Sequence, residues 1–259
     1  MEIVYQFMIL ALLFAAGCVI GWGLEVFYRR FKPSNKERVW INPGFLTGPY
    51  LPLYGFGLTL LYLMAGLERY IDIGDRFLRQ GILFLLMAAA MTLIELIAGE
   101  IFIISMHIKL WDYTDMRFNY KCVICMRFSI YWAALGAVYY FLIHPRILRG
   151  LAWFSHNLLF SFVIGFFYGV FVIDLITTFR LVDKIKRFAS ENEMVIRYDE
   201  LKKHVRRTAL EKKEKYRFLY AWRSETSIAE HLKTYMEKQL EAASLDRLND
   251  FISRKKKDR

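Results

Sequence analysis

Cysteine is scarce. Three residues, Cys18, Cys122 and Cys125, cannot build a disulfide framework, and Cys122 and Cys125 form a lone C-x-x-C, a weak metal signal without a second pair. His107 offers a further ligand type that nothing fixes beside them, so the reading is reduced thiols, with no metal and no cofactor. A G-x-S-x-G nucleophile elbow is missing, which lowers hydrolase readings. Zinc-finger spacing and an RNA-type aromatic signature are missing too, so the basic charge does not point to nucleic acid. No small-residue cleavage site follows the first apolar segment, which is therefore expected to stay as a helix and not to be removed as a signal peptide.

What is plentiful is apolar surface. The 259 residues are 56% hydrophobic and include 22 Phe and 16 Tyr, more than a soluble core of this size needs. Apolar stretches over about 3–27, 49–67, 80–106, 128–143 and 157–179 compare with the roughly 17 to 25 residues that a bilayer-spanning helix requires, the fourth being marginal. The expectation is an all-α, polytopic helical membrane protein with about five transmembrane helices over 1–179, followed by a basic helical tail over 180–259. Loop 28–48 carries Arg29, Arg30, Lys32, Lys36 and Arg38, whereas the basic residues of 68–79 are diluted by Glu68, Asp72 and Asp75. The positive-inside rule then puts the N-terminus outside and the C-terminus in the cytoplasm of a cell membrane.

Of the formal net charge of +11, the tail holds +8, from 22 Lys and Arg against 14 Asp and Glu. That balance suits an anionic inner leaflet, at about 1 kcal/mol per basic residue near the surface. Ser227 and Glu230 have capping-box spacing. Ile228, Leu232, Tyr235, Met236, Leu240, Ala243, Leu248, Phe251 and Ile252 then follow at helical steps. The stripe fits a helix packed on the neighbouring "YDELKKHVRRTALEKKEKYRFLYAW", a coiled coil setting a homo-oligomer, or a partner-docking helix. Arg254 to Arg259 read as solvated or lipid-facing charge.

Ionisable groups inside a bilayer cost about 2.5 to 3.5 kcal/mol each and are functional candidates by default. Here they are Glu25, Glu95, Glu100 and Asp174. Five residues separate Glu95 from Glu100, about 140° around a helix, so the two face different neighbours, whereas His107 returns to nearly the face of Glu100. Arg29, Asp112, Asn119 and Arg127 fall at the same inner depth. The cluster reads either as a structural salt-bridge network or as a polar cavity open to the cytoplasm for an ion, a proton or a lipid head group. Paired acids also suit acid and base chemistry.

Beside this cluster stands "NPGFLTGPYLPLYGFG", residues 42–57, with three of the chain's five prolines. Proline withholds an N–H, and lipid-exposed backbone does not tolerate the loss, so the stretch is expected to line the inner cavity as a re-entrant or broken helix start. Asn42 would anchor it, Gly44, Gly48, Gly55 and Gly57 would relax its sterics, and Tyr50 and Tyr54 would sit at the interface. The plainer alternative is a loop and helix entry with Pro49 and Pro52 in the first turn.

"GWGLEVFYRR", "NPGFLTGPYLPLYGFG" and "LWDYTDMRFN…ICMRFSIYWAALG" together resemble the family catalogued as putative ABC-transporter type IV, the CmpB-like membrane proteins, to which vertebrate transmembrane protein 229 is also similar. The resemblance covers roughly 10–145. Gly21, Trp22, Glu25 and Arg29 match its first block, and Asn42, Gly44, Phe45, Gly48, Pro49, Tyr50, Pro52, Tyr54, Gly55 and Gly57 its second. Trp111, Asp112, Tyr113, Phe118, Asn119, Cys125, Ser129 and Trp132 match the third. Pro43 stands where the family commonly has Arg and Cys122 where Gly is usual. The resemblance implies a permease-like subunit of an ABC-type transporter, and since the chain has no G-x-x-x-x-G-K-[ST] loop the ATPase would be a separate partner. Two alternatives remain open. One is a membrane-embedded enzyme acting on a lipid, with Glu25, Asp112 or His107 as acid or base and Arg29 or Arg127 on a phosphate; the other is a scaffold acting through its tail helices.

Overall fold

The computed structural model describes residues 2–33, 35–156, 160–211 and 226–257. Helix α1, Glu2–Phe31, runs through the first apolar stretch and ends on Arg29 and Arg30, cations that complement its C-terminal dipole. An irregular segment follows, and α2, Pro52–Leu67, starts with proline at a position whose N–H the helix does not need. Helix α3, Arg76–Met106, is capped by Asp75, whose carboxylate accepts from Leu78 N at 2.9 Å, and stops where His107 turns left-handed at φ 53°. Helix α4, Met126–Val138, passes through a π-helical turn, Tyr139–Ile143, into α5, His144–His156. Pro145 cannot donate to the turn before it, and a wider turn absorbs that missing bond. Helix α6, Phe160–Glu191, continues unbroken past residue 180, so the boundary drawn between membrane segment and tail falls inside one helix.

Among the described residues, four helices are long and apolar enough to cross a membrane: Ile3–Phe31, Arg76–Met106, Met126–Gly150 and Ser161–Glu191. The expected second span is the 16-residue α2, about 24 Å long. The marginal fourth stretch gains length because the π turn joins α4 to α5. The expected start of the fifth span, 157–159, lies outside the described residues. Ile3, Phe7, Ile20, Leu85, Ile104, Phe162 and Ile173 point outward, as lipid-facing side chains of such helices must.

Helices α1 and α2 pack closely because their facing residues are small. A Cβ on Gly21 would lie 2.2 Å from the Tyr54 side chain, and one on Gly55 2.5 Å from Cys18 Sγ and 2.8 Å from the Phe14 carbonyl. Helices α3 and α4 close the other side through Leu61, Leu83, Met87, Met91, Trp132 and Tyr139. Helix α6 lies on α1 through Phe14 and Phe171, and Tyr168 donates to the Ala11 carbonyl at 3.0 Å.

A second core forms at the end of the bundle where α1 and α3 finish. Strand β1, Ile108–Lys109, pairs in parallel with β4, Ile196–Arg197, tying the segment after α3 to the entry of α7, Tyr198–Glu211. Ile108, Val182, Ile185, Ile196, Tyr198, Leu201, Leu232 and Tyr235 fill the space between them, the last two from α8, Ile228–Lys257. The Ser227 hydroxyl accepts from Glu230 N at 3.3 Å, so half of the expected capping box is present. The first turns of the α8 stripe pack on their neighbours, while Leu240 is exposed; the helix runs on through Leu248, Phe251, Ile252 and Arg254, whose side chains are not described, and residues 258–259 and the 212–225 part of the neighbouring segment lie outside the described residues. The hairpin of β2, Asn119–Tyr120, and β3, Ile124–Cys125, turns through left-handed Lys121 and Cys122.

Candidate functional site: the inner polar clamp

Residues 41–51 contain no helical turn. The stretch is an irregular loop folded into the protein, neither a re-entrant helix nor an exposed entry, and Pro49 lies within it before the first turn of α2. Tyr50 is 3% exposed and Tyr54 half-buried, and their hydroxyls reach Asp174 and Glu25.

Asn42, itself buried, organises the loop. Its amide donates to the Leu46 carbonyl at 3.3 Å and the Thr47 carbonyl at 3.0 Å, and its Oδ1 accepts from Trp22 Nε1 at 3.0 Å and Gly44 N at 3.4 Å. The far side is held by Asp174 of α6. Its carboxylate accepts from Thr47 N at 3.3 Å, Gly48 N at 2.7 Å, the Tyr50 hydroxyl at 2.7 Å and the Thr178 hydroxyl at 3.1 Å. Four neutral donors thus replace water around this carboxylate on an apolar helix. Pro49, which has no N–H to satisfy, is exposed.

The third side belongs to the tail. Within one turn of α7, Tyr198 donates to the Phe45 carbonyl at 2.9 Å, Asp199 receives Arg29 Nη1 at 2.9 Å, and the buried Lys202 donates to the carbonyls of Asn42, at 3.1 Å, and Gly44. Burial pushes the Lys202 ammonium down to about 8; Asp199 works against that shift and Arg29 with it.

Arg29 also holds Glu25 at 3.0 Å, and Glu25 accepts from the Tyr54 hydroxyl at 3.1 Å. The Tyr54 ring meets that of Trp132 at 5.3 Å, and Trp132 Nε1 donates to Glu95 at 2.9 Å, whose other oxygen accepts from the Tyr113 hydroxyl at 2.8 Å. Glu95 is 3% exposed and its described partners carry no charge. Glu25, Arg29, Asn42, Tyr50, Tyr54, Glu95 and Asp174 therefore form one connected network. Glu100 stands apart, paired with Lys121, so the 140° offset separates the two glutamates. Asp112 joins the tail, 2.9 Å from Lys109 Nζ and 3.3 Å from Arg197 Nε; burial raises its carboxyl, but the bonds from Thr114 and Lys109 leave it below the usual range.

His107 caps α3, its carbonyl accepts from Ile196 N at 2.9 Å, and its buried Nδ1 has no partner among the described residues. Asn119 closes its own loop on the Met116 carbonyl at 2.8 Å, and the exposed Arg127 turns to Tyr131 at 3.0 Å, so neither reaches the network. Gly44 is buried in the loop, Gly57 faces Met91, and Pro52 opens α2. Two hollows lie elsewhere: an apolar groove of about 510 Å³ between α3 and α4, and a polar cleft of about 730 Å³ around Glu68, Arg69, Asp72 and Arg79 at the opposite end of the bundle.

Trp22, Tyr113, Trp132, Tyr198, Asp199 and Lys202 complete the site, though the sequence did not single them out as polar partners. For Trp22 the available signal was its place in the "GWGLEVFYRR" block, although its partner is Asn42 and not the nearby Glu25. For Lys202 there was none, since a lysine in a basic run reads as solvated.

Apolar side chains outward, acids and amides inward and gathered at one end: this build defines an all-helical integral membrane protein. Residues 12–179 match the family described as Putative ABC-transporter type IV, and the chain belongs to that family. The match takes in residues 160–179 of α6, Asp174 among them, beyond the 10–145 over which the sequence motifs carry the resemblance. No curated protein and no solved structure matches the chain.

Proposed function

We propose that the chain is the membrane-embedded, permease-like subunit of an ABC-type transport system, oriented with its tail in the cytoplasm and served by a separate ATPase. The observation that supports this best is the union of tail and inner loop: α7 grips residues 42–45 and Arg29 directly, so a partner seated on the tail helices would act on the inner mouth of the bundle. The sequence has no phosphate-binding loop of its own, which fits a divided system. The basic excess of the tail suits an anionic inner leaflet beside such a partner. The lipid-enzyme reading has less support, because Glu25, Arg29 and Asp112 are already engaged with protein partners. Affinity purification of the full chain from native membranes is expected to recover an ATPase, and liposomes containing both to move a solute on ATP addition. Recovery of no ATPase together with no movement of any candidate solute would overturn the proposal.

A further inference from the structure

Two histidines stand outside the clamp, where α8 lies on α7. His204 of α7 is 6% exposed and His231 of α8 is 2% exposed. Their rings are perpendicular with centroids 5.9 Å apart, and the Tyr235 ring stands 6.0 Å from His204. His204 Nε2 is buried with no hydrogen-bond partner among the described residues. A neutral imidazole bears this at the cost of one unsatisfied polar atom; an imidazolium needs acceptors at both nitrogens and keeps a charge besides.

The surrounding charges make protonation worse. His204 is held below the ordinary histidine range first by burial, then by Lys238 and His231 from α8 and Arg207 from α7, with Glu211 acting the other way. Glu211 is exposed and already lies 3.7 Å from Arg207.

Helix α8 joins α7 and the core beside it through its first turns. Leu232 and Tyr235 enter the inner core with Ile228 partly buried beside them, while Leu240 is exposed. Its described polar bonds to α7, from the Tyr235 hydroxyl at 3.2 Å and Gln239 at 3.3 Å, both end on one oxygen of Glu200. Helix α7 is fixed independently by Tyr198, Leu201, Lys202 and Val205.

We propose that the His204–His231 contact is a proton-sensitive catch, closed on α8 when His204 is neutral and opened when His204 takes up a proton, with α7 left in place. The direction follows from linkage. The open state binds a proton at the ordinary histidine value near 6.5 and the closed state only at lower pH, so closure is fully favoured above that range and weakens as pH falls through it. Each proton taken up only by the open state shifts the balance up to about tenfold per pH unit.

The test uses full-length protein in nanodiscs, with Cys122→Ser and spin labels on the exposed positions Lys203→Cys and Glu237→Cys. Pulsed electron paramagnetic resonance should give one narrow distance at pH 7.5 and a longer, broader distribution at pH 5.0 that reverses on neutralisation. A control pair at Lys186→Cys and Lys203→Cys should not change. His204→Phe with His231→Phe should stay narrow at both pH values, with His204→Gln and His231→Asn as the substitute if that variant misfolds, and His204→Lys should open α8 at pH 7.5. An unchanged wild-type distance, acid opening that survives loss of both histidines, or movement of the control pair would each overturn the proposal.

Discussion

Asp174 shows how one residue is tied to many. Its carboxylate satisfies two backbone N–H groups and two hydroxyls, so removing it leaves several donors unpaired, each costing about 1 to 3 kcal/mol. Asp174→Ala is therefore expected to lower the thermal midpoint of the purified protein by far more than Tyr50→Phe, which removes a single donor. Lys202 makes the opposite kind of prediction. An undocked tail binds a proton at the ordinary lysine value near 10.5, the docked one only up to about 8, so the buried ammonium opposes docking below pH 8 and that opposition fades as pH rises towards 10.5. Tail docking in wild type should strengthen over that window, read as slower hydrogen exchange of α7, and Lys202→Met should flatten the trend. Among the expected polar residues, the acids were legible because a charge in an apolar run is costly wherever it points. Their partners were not, since Trp132 and Tyr113 look like ordinary aromatics until the fold brings them to Glu95.

At the scale of elements, the long apolar helices could be read directly from the sequence, because bilayer length and hydropathy leave few alternatives. Helix α2 was less legible in extent. The apolar pattern begins near residue 49, yet the helix begins at Pro52, because Tyr50 and Leu51 are held outside it by bonds to Asp174 and the Cys18 carbonyl. The α1–α2 contact was not read from the sequence: Gly17 lies against Gly55 and Gly21, one turn on, against the Tyr54 ring. Gly55→Leu should abolish folding, since its side chain would meet the Phe14 backbone, and Gly48→Leu should do so by displacing Tyr50. Gly66→Ala, which meets nothing within 4 Å, should leave expression and midpoint unchanged. A fluorescence size-exclusion profile of the three variants distinguishes these outcomes.

For the whole molecule, the division into membrane segment and tail was the least legible feature. Composition changes sharply near residue 180, but α6 crosses that point and the β1–β4 pairing joins segments 88 residues apart. Charge density reports which side of a membrane a segment occupies and says nothing about what it packs against. The central claim is that α7 and the inner loop form one clamp. Hydrogen exchange of residues 42–50, compared between wild type and the full-length Tyr198→Ala/Lys202→Ala variant, tests it most directly. Loss of the bonds to the Asn42, Gly44 and Phe45 carbonyls should accelerate exchange across the loop by about tenfold or more, with α3 unchanged. Equal protection of the loop in both proteins would contradict it.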